Sequence, residues 1–161
     1  MKMHTRYAMI GFMELILASA SPRRRELLAL AGYDYKIVVS DANEDILPCA
    51  PGPFVELLAR RKAEAVRALH PAACVVGADT VVELSGRIIG KPKSREDAFC
   101  ILSSLRGRTH TVYTGVAVLS PDADSCFYDT TKVTFCDMSD AEIWAYIDSG
   151  EPMDKAGAYG I

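Results

Sequence analysis

The chain has 161 residues, half of them apolar, and a formal net charge of −3. That is enough for one globular domain with a real core, and the acidic balance excludes a general nucleic-acid binder, so any basic site is local. Five scattered cysteines without a Cys-x-x-Cys pair, and three histidines far apart in sequence, argue against a structural zinc site and for a reduced, cytoplasmic compartment.

Residues 1–12 show no clear period and read as an extension, with the fold starting at Met13. No long apolar h-region marks a signal peptide, and no apolar run approaches the roughly 20 residues of a spanning helix. Residues 15 to 28 begin as an apolar strand that runs into Ser19-Ala20-Ser21-Pro22-Arg23-Arg24-Arg25 and then a helix. Ser21 suits an N-cap and Pro22 the first helical position, so the three arginines fall in the first turn. Cations there oppose the helix dipole by roughly 0.3–1 kcal/mol each. A strand-to-helix turn with free N–H groups, two hydroxyls and an arginine cluster outlines a phosphate site. A solvated basic patch or a Ser-Pro kinase target reads the same residues more plainly.

Gly32 stops this helix, and Tyr35 to Val39 alternates as a strand. Ser40 to Pro53 is polar, with Glu44 and Asp45, and long enough for a functional loop. Phe54 to Leu69 predicts an amphipathic helix with Val55, Leu58, Ala59, Ala63 and Val66 inward. Lys62 lies on that stripe, either as a snorkelling stem or as an ammonium aimed into a cleft. Cys74 to Leu84 reads as a buried central strand broken by one acid, Asp79. A buried carboxylate needs a partner. That partner is a helix N-terminus on the structural reading and a ligand or metal on the functional one, with Gly77 and Ala78 leaving room for approach.

Leu84 to Arg87 is a hairpin turn, and Ile88 and Ile89 form a short return strand ending at Gly90-Lys91-Pro92. Lys91 is either a surface lysine or a fixed cation for a phosphate. Ser94 and Asp97 cap a helix through Leu105, ended by Gly107. Thr109 to Leu119 and Cys126 to Phe135 predict a hairpin. Ser139 and Glu142 form a capping box for a helix through Ile147, closed by Gly150. Glu151 to Lys155 then leads into a Gly/Ala-rich loop that stops at Ile161, apparently in mid-motif. The class is mixed α/β, with its polar anomalies at strand ends and loops, where such folds carry their sites.

These motifs, taken in order, resemble the Maf family of nucleoside triphosphate pyrophosphatases, also called septum-formation inhibitors. The matching segments are Ser19-Ala20-Ser21-Pro22-Arg23-Arg24, Glu44, Ala59-Arg60-Arg61-Lys62-Ala63 and Gly77-Ala78-Asp79-Thr80. Gly90-Lys91-Pro92, Ser104-Leu105-Arg106-Gly107, Tyr113-Thr114-Gly115-Val116 and Glu151-Pro152-Met153-Asp154-Lys155-Ala156-Gly157-Ala158-Tyr159-Gly160-Ile161 complete the set. The resemblance spans residues 13–161.

The resemblance implies an elongated, two-lobed α/β domain of Maf/ITPase-like type, with a mixed sheet flanked by helices and a cleft between the lobes. It implies metal-dependent cleavage between the α- and β-phosphates of a nucleoside triphosphate, giving a monophosphate and pyrophosphate in house-cleaning of nucleotide pools. Homodimers are common in the family. Ser-Pro-Arg-Arg with Gly-Ala-Asp-Thr looks like the dTTP/UTP branch, and the branch acting on 7-methyl-GTP usually lacks the second arginine. Asp79 matches the base that activates water. Glu44 and Asp79 would hold Mg²⁺ or Mn²⁺. Ser19, Arg23, Arg24, Lys62, Thr80, Lys91 and Lys155 would bind the substrate, which carries about four negative charges. Members of the family continue past the matching Gly-Ile with a glutamine, so the sequence is expected to lack a C-terminal piece.

Two other classes compete. One is a regulatory protein that binds a nucleotide without turnover. The other is a nucleic-acid module using the arginine triplet, which the acidic balance and the lack of aromatics near the arginines disfavour. No membrane association is expected.

Overall fold

The computed structural model describes residues 13–45 and 49–160. The expected extension at 1–12 lies outside them. In chain order the elements are β1 (Leu15–Leu17), α1 (Pro22–Leu30), β2 (Lys36–Ile37), α2 (Pro51–Arg67), β3 (Cys74–Leu84) and β4 (Arg87–Ile89). There follow α3 (Arg95–Leu105), β5 (Thr109–Leu119), β6 (Asp124–Thr134) and α4 (Asp140–Asp148), then two 3₁₀ turns, Glu151–Asp154 and Ala156–Ala158.

The strands form one mixed sheet ordered β2-β1-β3-β5-β6, with β4 also on β3. β1 runs parallel to β2 and β3, while β3, β4, β5 and β6 pair antiparallel. β5 covers one edge of β3 from Val75 to Glu83. The other edge is shared, with β1 on Cys74–Val76 and β4 on Val82–Leu84. Between them, on this edge, no strand among the described residues pairs with residues 77 to 81. This notch in the sheet positions the site.

Two hydrophobic cores lie toward opposite ends of the long strands. One gathers Ile16, Ala59, Ala63, Val66, Val75 and Leu119 beneath α2. The other gathers Val82, Leu102, Leu105, Val112, Ile143 and Ile147 beneath α3 and α4. The period of two along β3 puts Val75, Gly77 and Asp79 on the α2 face and Thr80, Val82 and Leu84 on the other. Asp79 and Thr80 therefore sit where one core gives way to the other, which is the physical basis of a two-lobed α/β domain.

Glycine lets α2 approach the sheet. A Cβ on Gly77 would overlap the Ala59 carbonyl oxygen, and one on Gly115 would overlap the backbone of Val55. The predicted inner stripe of α2 is buried at every position.

Several boundaries differ from the sequence reading. α2 starts at Pro51 rather than Phe54, because Pro51 and Pro53 both fall in the first turn, where no intrahelical N–H is needed. β2 shrinks to two residues, since it can pair only with Ile16 and Leu17 of a three-residue neighbour. Ser21 takes the N-cap position, but its side chain makes no capping bond. Its N–H donates instead to Ser19 Oγ at 3.2 Å. The Gly/Ala-rich segment folds as two 3₁₀ turns anchored by buried Pro152 rather than as an open loop. The capping box of Ser139 with Glu142 forms as predicted.

Candidate active site

The last rung between β1 and β3 is the bond from Ala18 N–H to Val76 O, 2.8 Å. The chain then leaves the sheet and delivers Ser19 and the start of α1 to the notch beside Asp79 and Thr80. No acid occupies the first turn of α1, so nothing within the helix itself offsets its N-terminal dipole and arginines.

Ser19 is buried. Its Oγ accepts from Ser21 N–H and from Arg24 Nη1, the latter at 3.2 Å. Arg24 Nη2 donates to Thr80 Oγ1 at 3.4 Å, and Thr80 Oγ1 meets Thr114 Oγ1 at 3.1 Å. Burial lowers the pKa of Arg24, opposed by the charge of Asp79.

On the α2 face, Lys62 Nζ donates to Asp79 Oδ1 at 2.6 Å and reaches Glu44 Oε1 at 3.1 Å. Lys62 does not snorkel out along the surface: its ammonium turns to these two carboxylates. Asp79 finds its partner in that lysine rather than in a helix N-terminus. Among the described residues no three His, Cys, Asp or Glu side chains gather to hold a metal ion. Asp79 and Glu44 do converge on one cation, the Lys62 ammonium. Two carboxylates are what Mg²⁺ commonly takes from protein when phosphates and water complete its shell, so the donor set fits a divalent ion.

A second cluster lies across the notch. Arg23 Nη1 is 3.8 Å from Asp154 Oδ2, and Lys155 Nζ donates to Asp154 Oδ1 at 2.9 Å. Lys155 is buried and also donates to the Glu151 carbonyl oxygen. Its hydrogen bond, and then the charges of Lys155 and Arg23, hold the Asp154 carboxyl below its ordinary range. Lys91 is exposed. Its turn is tied to the second 3₁₀ segment by the bond from Gly157 N–H to Gly90 O, 2.9 Å. The structure therefore joins Ser19, Arg24 and Thr80 in one network and Glu44, Lys62 and Asp79 in another. Arg23 and Lys155 meet through Asp154, and Lys91 stands apart as an exposed lysine.

Sequence reasoning singled out neither Thr114 nor Asp154 as a site residue. Thr114 matters only because the register places it opposite Thr80, and register is not readable from a single strand. Asp154 carried a signal, as the acid beside Lys155, but its link to Arg23 joins the two ends of the described chain in sequence.

The family described as Maf-like protein matches residues 14–161. A Geobacillus protein named dTTP/UTP pyrophosphatase is 52% identical over 149 residues, covering 92% of this chain and 80% of its own. A Bacillus cereus protein of the same name is 47% identical over 160 residues, covering 99% of this chain and 79% of its own. The structure of the Staphylococcus aureus Ham1 protein superposes with a TM-score of 0.53 at 20% identity, over 79% of this chain and 72% of that one, a likeness of fold. The chain belongs to the Maf family.

Proposed function

We propose that this Maf-family chain hydrolyses nucleoside triphosphates between the α- and β-phosphates, with dTTP and UTP preferred, in the clearance of unwanted nucleotides. The names of its relatives support the substrate class. The observation that carries the reading is the pairing of Lys62 with both Asp79 and Glu44, beside a helix start that offers arginines and a serine but no acid.

The side chains divide the work. Ser19, the first N–H groups of α1, Arg23 and Arg24 neutralise and orient the triphosphate, with Lys62, Lys91 and Lys155 adding positive charge. Asp79 accepts a proton from the water that adds at the α-phosphorus. The P–O bond to the β-phosphate breaks, and pyrophosphate leaves with its electron pair. Glu44 and Asp79 would hold Mg²⁺ or Mn²⁺, which when bound supplies positive charge where phosphate charge develops. Thr80 and Arg24 stand at the junction of the two cores, where they can meet the nucleotide.

The test is pyrophosphate release with Mg²⁺ across dTTP, UTP, dCTP, the purine triphosphates and 7-methyl-GTP. Higher kcat/KM for dTTP and UTP is expected. A higher value for 7-methyl-GTP overturns the preference. Nucleotide binding without pyrophosphate release overturns the enzymatic reading in favour of a regulatory binder.

A further inference from the structure

Thr114 of β5 lies directly opposite Thr80 of β3, and their hydroxyls meet at 3.1 Å. Arg24 Nη2 donates to the same Thr80 oxygen, and Arg24 Nη1 donates to Ser19 Oγ. A threonine oxygen has one proton and two acceptor positions, and a guanidinium only donates. Arg24 therefore takes one acceptor position on Thr80, leaving its proton or its other acceptor position for Thr114. Whichever hydroxyl donates to the other, the rotor of Thr80 is fixed, and with it one arm of the Arg24 fork. The ion pairs of the site go to Arg23, Lys62 and Lys155, and none among the described residues goes to Arg24. Its charge is left to be met by an incoming anion, while its hydrogen bonds go to the neutral hydroxyls of Ser19 and Thr80.

A valine at 114 would fill the same volume and suit a strand at least as well, so strand stability does not call for the hydroxyl. We propose that Thr114 is a positioning residue for nucleotide binding. It acts through Thr80 to hold the Arg24 guanidinium ready for the triphosphate. The inference rests on the pyrophosphatase reading of the same site.

The probe is α,β-imido-dUTP, which cannot be cleaved at the proposed bond, with its Kd measured by calorimetry for the full chain. Thr114→Val should weaken binding about five- to tenfold, the scale of one hydrogen bond. Thr114→Ser should restore it to within about twofold, and melting temperatures should match wild type. In an Arg24→Ala background, Thr114→Val should have almost no further effect, because its route to the ligand is gone. Equal weakening in both backgrounds, or wild-type binding by Thr114→Val, overturns the inference alone. A wild-type chain that does not bind the analogue overturns the functional reading and this inference with it.

Discussion

Lys62 Nζ and Asp79 Oδ1 are 2.6 Å apart across the packing of α2 on β3, and both side chains are mostly buried. Gly115 stands directly across from Asp79 in the sheet, and its missing side chain lets α2 come close enough for the contact. The pair thus depends on a glycine in a different strand, 36 residues on from the acid (115 − 79).

On the proposed reading, Asp79→Asn keeps the shape and removes the charge that accepts the water proton. Turnover should fall by at least about 100-fold, the usual scale for a lost general base. Pyrophosphate release under saturating dTTP measures it. A variant with near wild-type kcat would take Asp79 out of the proton-transfer role.

Lys62→Met should separate two functions of one ammonium. The side chain keeps its bulk, but Asp79 and Glu44 lose their shared cation. Manganese binding without nucleotide, followed by electron paramagnetic resonance, should strengthen as the two carboxylates become free for it. On the proposed reading, binding of dTTP should weaken, because one of the cations assigned to the triphosphate is gone. Unchanged manganese affinity would show that Lys62 does not compete for those oxygens.

Gly115→Ala should destabilise the fold. The added methyl collides with the Val55 backbone rather than with a flexible side-chain end, so α2 must lift or the sheet must bend. Overpacking of this kind typically costs about 1–3 kcal/mol. Urea melts of the wild type and the variant give the difference. A melt within about 0.5 kcal/mol of wild type, the range of an ordinary surface change, would show that α2 accommodates the methyl freely.

Much of this was legible in the chain. The bounds of β3 follow from its continuous apolar run and the buried stripe of α2 from its helical spacing. Asp79 was visible as an acid inside an apolar run, and Lys62 as a cation on an apolar stripe. Each anomaly turned out to be the other's partner. That relation was not legible, because it depends on which helix lies over which strand. The same holds for Thr80 with Thr114 and Arg23 with Asp154, which come together through strand register and the closure of the C-terminal turns. Ser21 shows the opposite failure. Its local signal for a side-chain cap was good, yet the hydroxyl of Ser19 takes up its N–H, while the Ser21 hydroxyl makes no capping bond.

His110 supplies a pH dependence that the proposed chemistry does not need. It is buried in the core under α3 and α4, with Nε2 at 2.7 Å from Tyr159 Oη and Nδ1 without a hydrogen-bond partner among the described residues. Phe135 packs edge-on against the ring. Burial lowers the pKa of His110 from 6.5 and pushes the Tyr159 phenol up to about 12, so of this pair the histidine carries the acid-side titration. Below pH 6.5 the unfolded chain takes up a proton on this residue that the folded chain resists. Stability then rises with pH through that window, and its His110 component is fully present above the unfolded pKa and lost as pH falls through the lowered folded value. His110→Gln keeps a polar partner for Tyr159 and removes the titration. Chemical denaturation at pH 5.0, 6.0 and 7.5 should show a steeper loss of stability on acidification in wild type than in His110→Gln. Parallel curves for the two proteins would assign the acid sensitivity to other groups.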